Sequence, residues 1–364
     1  MSAVLEAPAA IAGAVAIVAV LDSVLRTFVL PRASLTPLAR ALFTALFAVF
    51  RLLARPLRTY HQRDRVMALY APVTLVSMPA LWLTLLWLAY TPLMAVCEHD
   101  GFVAALRTSG SNLWTLGFER PPGTLTAVLA FSEAACGLLV VALLIAYVPT
   151  IYGTFSAREV MVSQLSIRSD TPPSALAMLR RAQAAGYLGE LDAYFAEWER
   201  WFVVLQETHT SLAPLSYLRS PHPDRSWITA AGAILDTAAM RMAVLDLPFR
   251  SEGGLCIRSG TLALRSVSDL LGVAYPADPQ PGDPIAVTRN EFDEVVDELA
   301  RLGLPVRADR AAAWRDFAGW RVNYDATVIG LSGRLMAPYA PWSSDRSSLL
   351  RAPSRRRVGV RQHR

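Results

Sequence analysis

A chain of 364 residues that is 53% hydrophobic and 18% charged has the composition of a membrane part averaged with a soluble part. Its 35 basic residues, all arginine, stand against 30 acidic ones. So small an excess, with no lysine and abundant alanine, reads as the codon bias of a GC-rich bacterium and gives no sign of a nucleic-acid partner.

In chain order, residues 1–31 hold a first apolar run, Ala9 to Leu30, ending at Pro31-Arg32. It is read as a transmembrane helix and not as a cleaved leader, because Glu6 stands where a basic region should be and no small-residue cleavage site precedes Pro31. Asp22 and Arg26 in its second half are spaced i, i+4. They are expected to pair locally with the arginine snorkelling, the other reading being a voltage-sensing or proton-relay role.

Residues 32–66 carry Arg32, Arg40, Arg51, Arg55, Arg58, Arg63 and Arg65 against one acid, Asp64. Only about ten residues separate Arg40 from Arg51, too few to span. An arginine-striped amphipathic helix on the inner leaflet is expected, meeting anionic lipid headgroups. It could couple cytoplasmic motion to the membrane part or serve as a surface linker.

Two longer apolar runs follow, Met67 to Cys97 and Thr124 to Thr154, each exceeding the ~20 residues that a bilayer requires. Three spans are thus expected. The arginine excess of residues 32–66 places them in the cytoplasm, with the N-terminus and the 98–123 loop outside and everything after about Tyr152 cytoplasmic. By this topology Cys97, Cys136 and Cys256 lie in different compartments, so neither a disulfide nor a thiolate metal site is expected.

Between the two long runs lies Thr108-Ser109-Gly110-Ser111-Asn112-Leu113-Trp114-Thr115-Leu116-Gly117-Phe118-Glu119. Gly101 to Asn112 can form a short helix entering the membrane from outside, its C-terminal partial negative charge favouring cations. Thr115, Leu116, Gly117 and Phe118 would then return toward the surface, which non-helical backbone can do only where protein or a watery cavity surrounds it.

Residues 67–155 resemble the outer helix, pore helix, filter and inner helix of the potassium-channel superfamily, Thr115-Leu116-Gly117-Phe118 matching the Thr-Val-Gly-Tyr part of that family's filter. The resemblance covers about a quarter of the chain. It departs where the family has a second glycine and this chain has Glu119, which implies an outermost ion site that is altered or missing. The resemblance implies a permeant cation, potassium among the candidates, and a homotetramer, because one loop supplies a quarter of a ring. The alternative is a non-conducting sensor or scaffold that retains the pore-loop fold.

On the last apolar run, Glu133 shares a helical face with Gly137, Val140, Leu144 and Val148. Glu133 could line an axis with them or brace the back of the loop through Ser109, Trp114 or a backbone amide. Gly137 resembles the family's hinge glycine and would equally permit close helix packing. Pro149 could kink the helix or mark its end.

Residues 156–345 read as an all-helical cytoplasmic domain, with helices expected at 174–185, 190–207, 227–244, 256–271, 289–302 and 311–331. No G-x-G-x-x-G occurs, which excludes that nucleotide-binding signature. His209 and His222 with nearby acids could hold a divalent ion, but their spacing fits no metal motif, and Asp224 or Ser226 suits an N-cap for the helix beginning at Trp227. With no nucleophile elbow either, no catalytic role is expected. Residues 346–364 form a basic tail expected to be disordered, either touching anionic lipid or simply solvated.

Overall fold

A computed structural model describes residues 3–28, 36–98, 101–119 and 123–347. The basic tail beyond Ser347 lies outside them, as do Pro31, Arg32, Asp100 and Arg120. The described residues are helical with no strand, apart from one isolated antiparallel bridge between Leu245 and Val306. The chain divides into two compact units, one of Met1–Phe155 with Ser211–Leu218, the other of Ser156–Thr210 with Arg219–Arg364.

The first unit contains α1 (Ala3–Phe28), α2 (Pro37–Ala54), α3 (Tyr60–Ala68), α4 (Tyr70–Glu98), α5 (Phe102–Leu113) and the first part of α6 (Thr124–Arg168). Helix α1 packs along α4. Their approach depends on Gly13, where a Cβ would fall 2.4 Å from the Ala89 carbonyl oxygen, the kind of backbone approach that small residues permit in membranes. At the far end of α1, Ser23 Oγ lies 2.9 Å from Thr36 Oγ1 and accepts from Trp82 Nε1 at 3.1 Å.

Four segments are long and apolar enough to cross a bilayer: Pro8–Phe28, Pro37–Ala54, Tyr60–Cys97 and Thr124–Arg168. They are consistent with a multi-pass membrane protein. The sequence leads to an expectation of three. The additional one is α2, whose helix begins at the Thr36 cap with Pro37 in its first turn and continues past Arg51. It therefore reaches eighteen residues, where the two arginines leave only the stretch between them for a sequence reading. Helix α2 runs beside the first half of α4: its start meets Ser23, the partner of Trp82, and its Phe43 carbonyl accepts from Tyr70 Oη at 3.1 Å.

The piece Ser211–Leu218 returns to this unit as a short 3-10 turn. Leu215 and Leu218 pack with Ala71, Leu75 and Ile151, and the Tyr217 ring lies 5.0 Å from that of Tyr70. The sequence division at residue 156 assigns this piece to the second half. Its apolar residues Leu215 and Leu218 find their burial on α4 and α6 instead.

The second unit is built around α9 (Trp227–Ala243), buried along nearly its whole length. Helices α7 (Ala175–Ala185), α10 (Ser251–Leu271), α12 (Arg310–Arg321) and α13 (Asp325–Arg334) pack on it, with α8 (Leu191–Ser211) and α11 (Arg289–Arg301) completing the set. Alanines at 230, 231, 233, 238, 239 and 243 of α9 let these neighbours come close. One long helix over 311–331 is expected from the sequence, but the structure breaks it into α12 and α13. The Asn323 side chain takes the Gly319 carbonyl at 2.9 Å, closing the end of α12, and Tyr324 turns inward to donate to Asp236 at 3.0 Å. Local side-chain bonding of this kind competes with helix continuation.

Candidate functional site

Helix α5 is short, lies between α4 and α6 in sequence, and packs on α4. Its buried face is largely polar, comprising Thr108, Ser109, Ser111 and Asn112 beside Ala105 and Leu113. Buried hydroxyls and amides need partners, and the flanking spans supply them. Ser109 Oγ lies 2.5 Å from Glu133 Oε1 and 3.0 Å from the Trp87 carbonyl oxygen. Trp87 Nε1 in turn donates to the Leu106 carbonyl at 2.9 Å.

Two glycines set how closely these helices meet. A Cβ on Gly137 would fall 2.4 Å from the Leu113 carbonyl oxygen, and one on Gly110 would fall 3.1 Å from Trp87 Nε1. The end of α5 is thereby seated against α6 on one side and α4 on the other.

After α5 the backbone leaves the helical conformation. Thr115 has φ +54° and Gly117 φ +68°. Positive φ is easy for glycine and an outlier for a β-branched residue, and such strain clusters at functional sites. Ser111 organises the turn: its carbonyl accepts from the Leu116 amide at 2.8 Å, and its hydroxyl accepts from the amides of Phe118 at 3.1 Å and Glu119 at 3.4 Å. With these amides drawn toward α5, the side chains of Trp114, Leu116 and Phe118 are left exposed. Glu119 pairs with Arg107 of α5 at 2.8 Å.

The structure therefore brings Thr115, Leu116, Gly117, Phe118 and Glu119 together as one loop on the end of α5, and sets Glu133 and Gly137 behind it. Glu133 meets Ser109, one of the partners that its bracing reading names. Its buried position, with Gly137 and Val140 also turned inward, takes that face away from the protomer surface. Leu144 and Val148 are half-buried farther along α6 and do not reach the loop. Ser111 and Trp87 were not singled out by sequence reasoning. The available signal was the run of four polar residues and a glycine, 108–112, inside an otherwise apolar stretch.

The two histidines are separated in environment. His222 is exposed on its turn, whereas His209 is buried against the Trp227 ring. Arg158 Nη1 donates to His209 Nε2 at 3.2 Å, which leaves Nδ1 to donate to the Leu205 carbonyl at 3.0 Å. Burial, and then the nearby Arg158 guanidinium, hold the imidazole well below its ordinary value of 6.5. Among the described residues no three His, Cys, Asp or Glu side chains gather as a ligand set. Ser226 is the N-cap of α9 by position, and its side chain makes no capping bond.

No protein-family model, no curated protein and no solved structure matches the chain. Its site is read from its own geometry.

Proposed function

We propose that the chain is the protomer of a homotetrameric pore-loop cation channel, with potassium among the permeant ions. The observation carrying this reading is the α5 loop: a short helix between two apolar spans, followed by a turn with positive φ at Thr115 and Gly117 that is exposed on the protomer surface. Non-helical backbone at membrane depth cannot face lipid. Other copies of the chain supply the missing walls, and carbonyl groups of the loop repeated around the shared axis replace the ion's hydration shell.

Orientation follows the arginines. With α2 lying on the cytoplasmic side of a bacterial inner membrane and not crossing it, the N-terminus and the α5 loop face outside and the second unit lies inside. Helix α2 then accompanies the inner half of the bundle, its arginines set toward anionic inner-leaflet lipid. The second unit acts as the gate, joined to the first through α6 and through the returning piece Ser211–Leu218.

The test is cation flux through purified full-length protein in liposomes, comparing potassium with sodium and wild type with Gly117→Asp. Flux in the wild type that the variant abolishes is the expected result. If no cation moves in wild-type liposomes over a range of voltage, pH and calcium, conduction is refuted and a membrane-anchored sensor or scaffold takes its place.

A further inference from the structure

A second polar site lies away from the loop, in a groove of about 600 Å3 between α1, α2 and α4. One end is polar, formed by Asp22, Arg26 and Thr36; the other is apolar, formed by Ala16, Ala19 and Leu85. Arg26 meets Asp22 through its Nε alone, at 2.9 and 2.7 Å to the two carboxylate oxygens. Both side chains remain about half exposed, at 49% and 52%. Both residues line the groove, and the Nη groups of Arg26 take no part in its hydrogen bonds to Asp22.

An ion pair on a membrane-crossing helix is expensive unless polar partners cover it. Its depth says which partners are at hand. Asp22 and Arg26 stand eight and four residues before Leu30, the last residue of the apolar run that gives way to Pro31-Arg32. The long stem of Arg26 carries its guanidinium from there toward the level at which phospholipid headgroups meet the acyl chains, and Asp22 is bonded to that guanidinium.

We infer that this groove binds a phospholipid whose headgroup carries a phosphate and a primary ammonium, as in phosphatidylethanolamine. The phosphate lies on the Nη fork of Arg26, the planar geometry suited to bidentate phosphate binding. The ammonium donates to Asp22. An acyl chain follows the small-residue wall of Ala16 and Ala19 toward the middle of the bilayer. The paired charges select a zwitterion: Asp22 repels a purely anionic headgroup, and a quaternary ammonium has no N–H to donate to it. Only the crossing of the membrane by α1 is required, so the inference stands or falls apart from conduction.

Native mass spectrometry of the full-length protein in detergent tests it, with phosphatidylethanolamine, phosphatidylcholine and phosphatidylglycerol added in turn. One charge-assisted hydrogen bond corresponds to about a tenfold preference for the first lipid over the second. Asp22→Asn should bring these two lipids to equal retention. Arg26→Gln should lower retention of all three. Both positions are half exposed, so the variants fold, and thermal melting checks that they do. Equal retention of the three lipids by the wild type, or a lipid profile unchanged in both variants, overturns the proposal. So does efficient cross-linking of Ala19→Cys between copies, which would show that a second copy covers the groove.

Discussion

Acidification should destabilise the protein through His209, by an amount that follows from its burial. The imidazole is held neutral in the folded state, with its folded value well below 6.5, by burial and by Arg158. The unfolded chain binds a proton there near pH 6.5. Below that pH the unfolded state holds more protons at this site than the folded state, so stability falls as pH falls. The window opens at about 6.5 and runs down to the depressed folded value. At pH 5.0 the loss approaches about 2 kcal/mol, being 1.5 pH units at ~1.4 kcal/mol each. For a unit of this size, that is about 4–8 °C in melting temperature.

The assay is thermal unfolding of the full-length protein in detergent at pH 7.5 and 5.0, for wild type and His209→Gln. Gln can still accept from Arg158 but does not titrate. Arg158 and the Glu159 carboxylate paired with it are common to both proteins. Wild type should lose about 4–8 °C more than the variant on acidification. An equal loss in the two would refute the assignment of His209 as a buried neutral group.

Three further outcomes are expected. Arg321→Met should cost about 3–5 kcal/mol in chemical unfolding, because it leaves the buried Asp236 without its guanidinium partner. Gly137→Ala, whose new methyl would meet the Leu113 carbonyl at 2.4 Å, should cost about 1–3 kcal/mol by overpacking and reduce cation flux by displacing the end of α5. Glu119→Gln should lower cation flux by leaving the Arg107 charge uncompensated beside the loop, and adding Arg107→Gln should restore it.

The parts legible in the sequence are those with local signals. The loop could be located because Thr115, Gly117 and Phe118 stand in order between two runs long enough to span. The helices of the second unit could be located from apolar periodicity; the one expected at 174–185 begins at Ala175, with Ser174 capping it through its hydroxyl. What escaped depends on tertiary partners. Nothing local distinguishes Leu215 and Leu218, which pack on Ile151 of α6, from core residues of the second unit. Arg321 reads as one more surface arginine until Asp236, 85 residues away, closes on it. The break between α12 and α13 likewise depends on Tyr324 reaching Asp236 across the core. That Ser109 stands opposite Glu133 also depends on tertiary packing, since the helical face of Glu133 does not say what lies across from it.

The central claim is that one pore is shared by four loops, and co-assembly of wild-type and Gly117→Asp chains tests it most directly. The two are co-expressed in graded ratios and purified together, then cation flux into liposomes is measured against the wild-type fraction. If a single altered loop blocks the shared axis, an equal mixture retains about one-sixteenth of the wild-type flux, the fraction of tetramers with no altered chain. Flux that falls in simple proportion, to about half in the equal mixture, would mean that each chain conducts alone and would contradict the account.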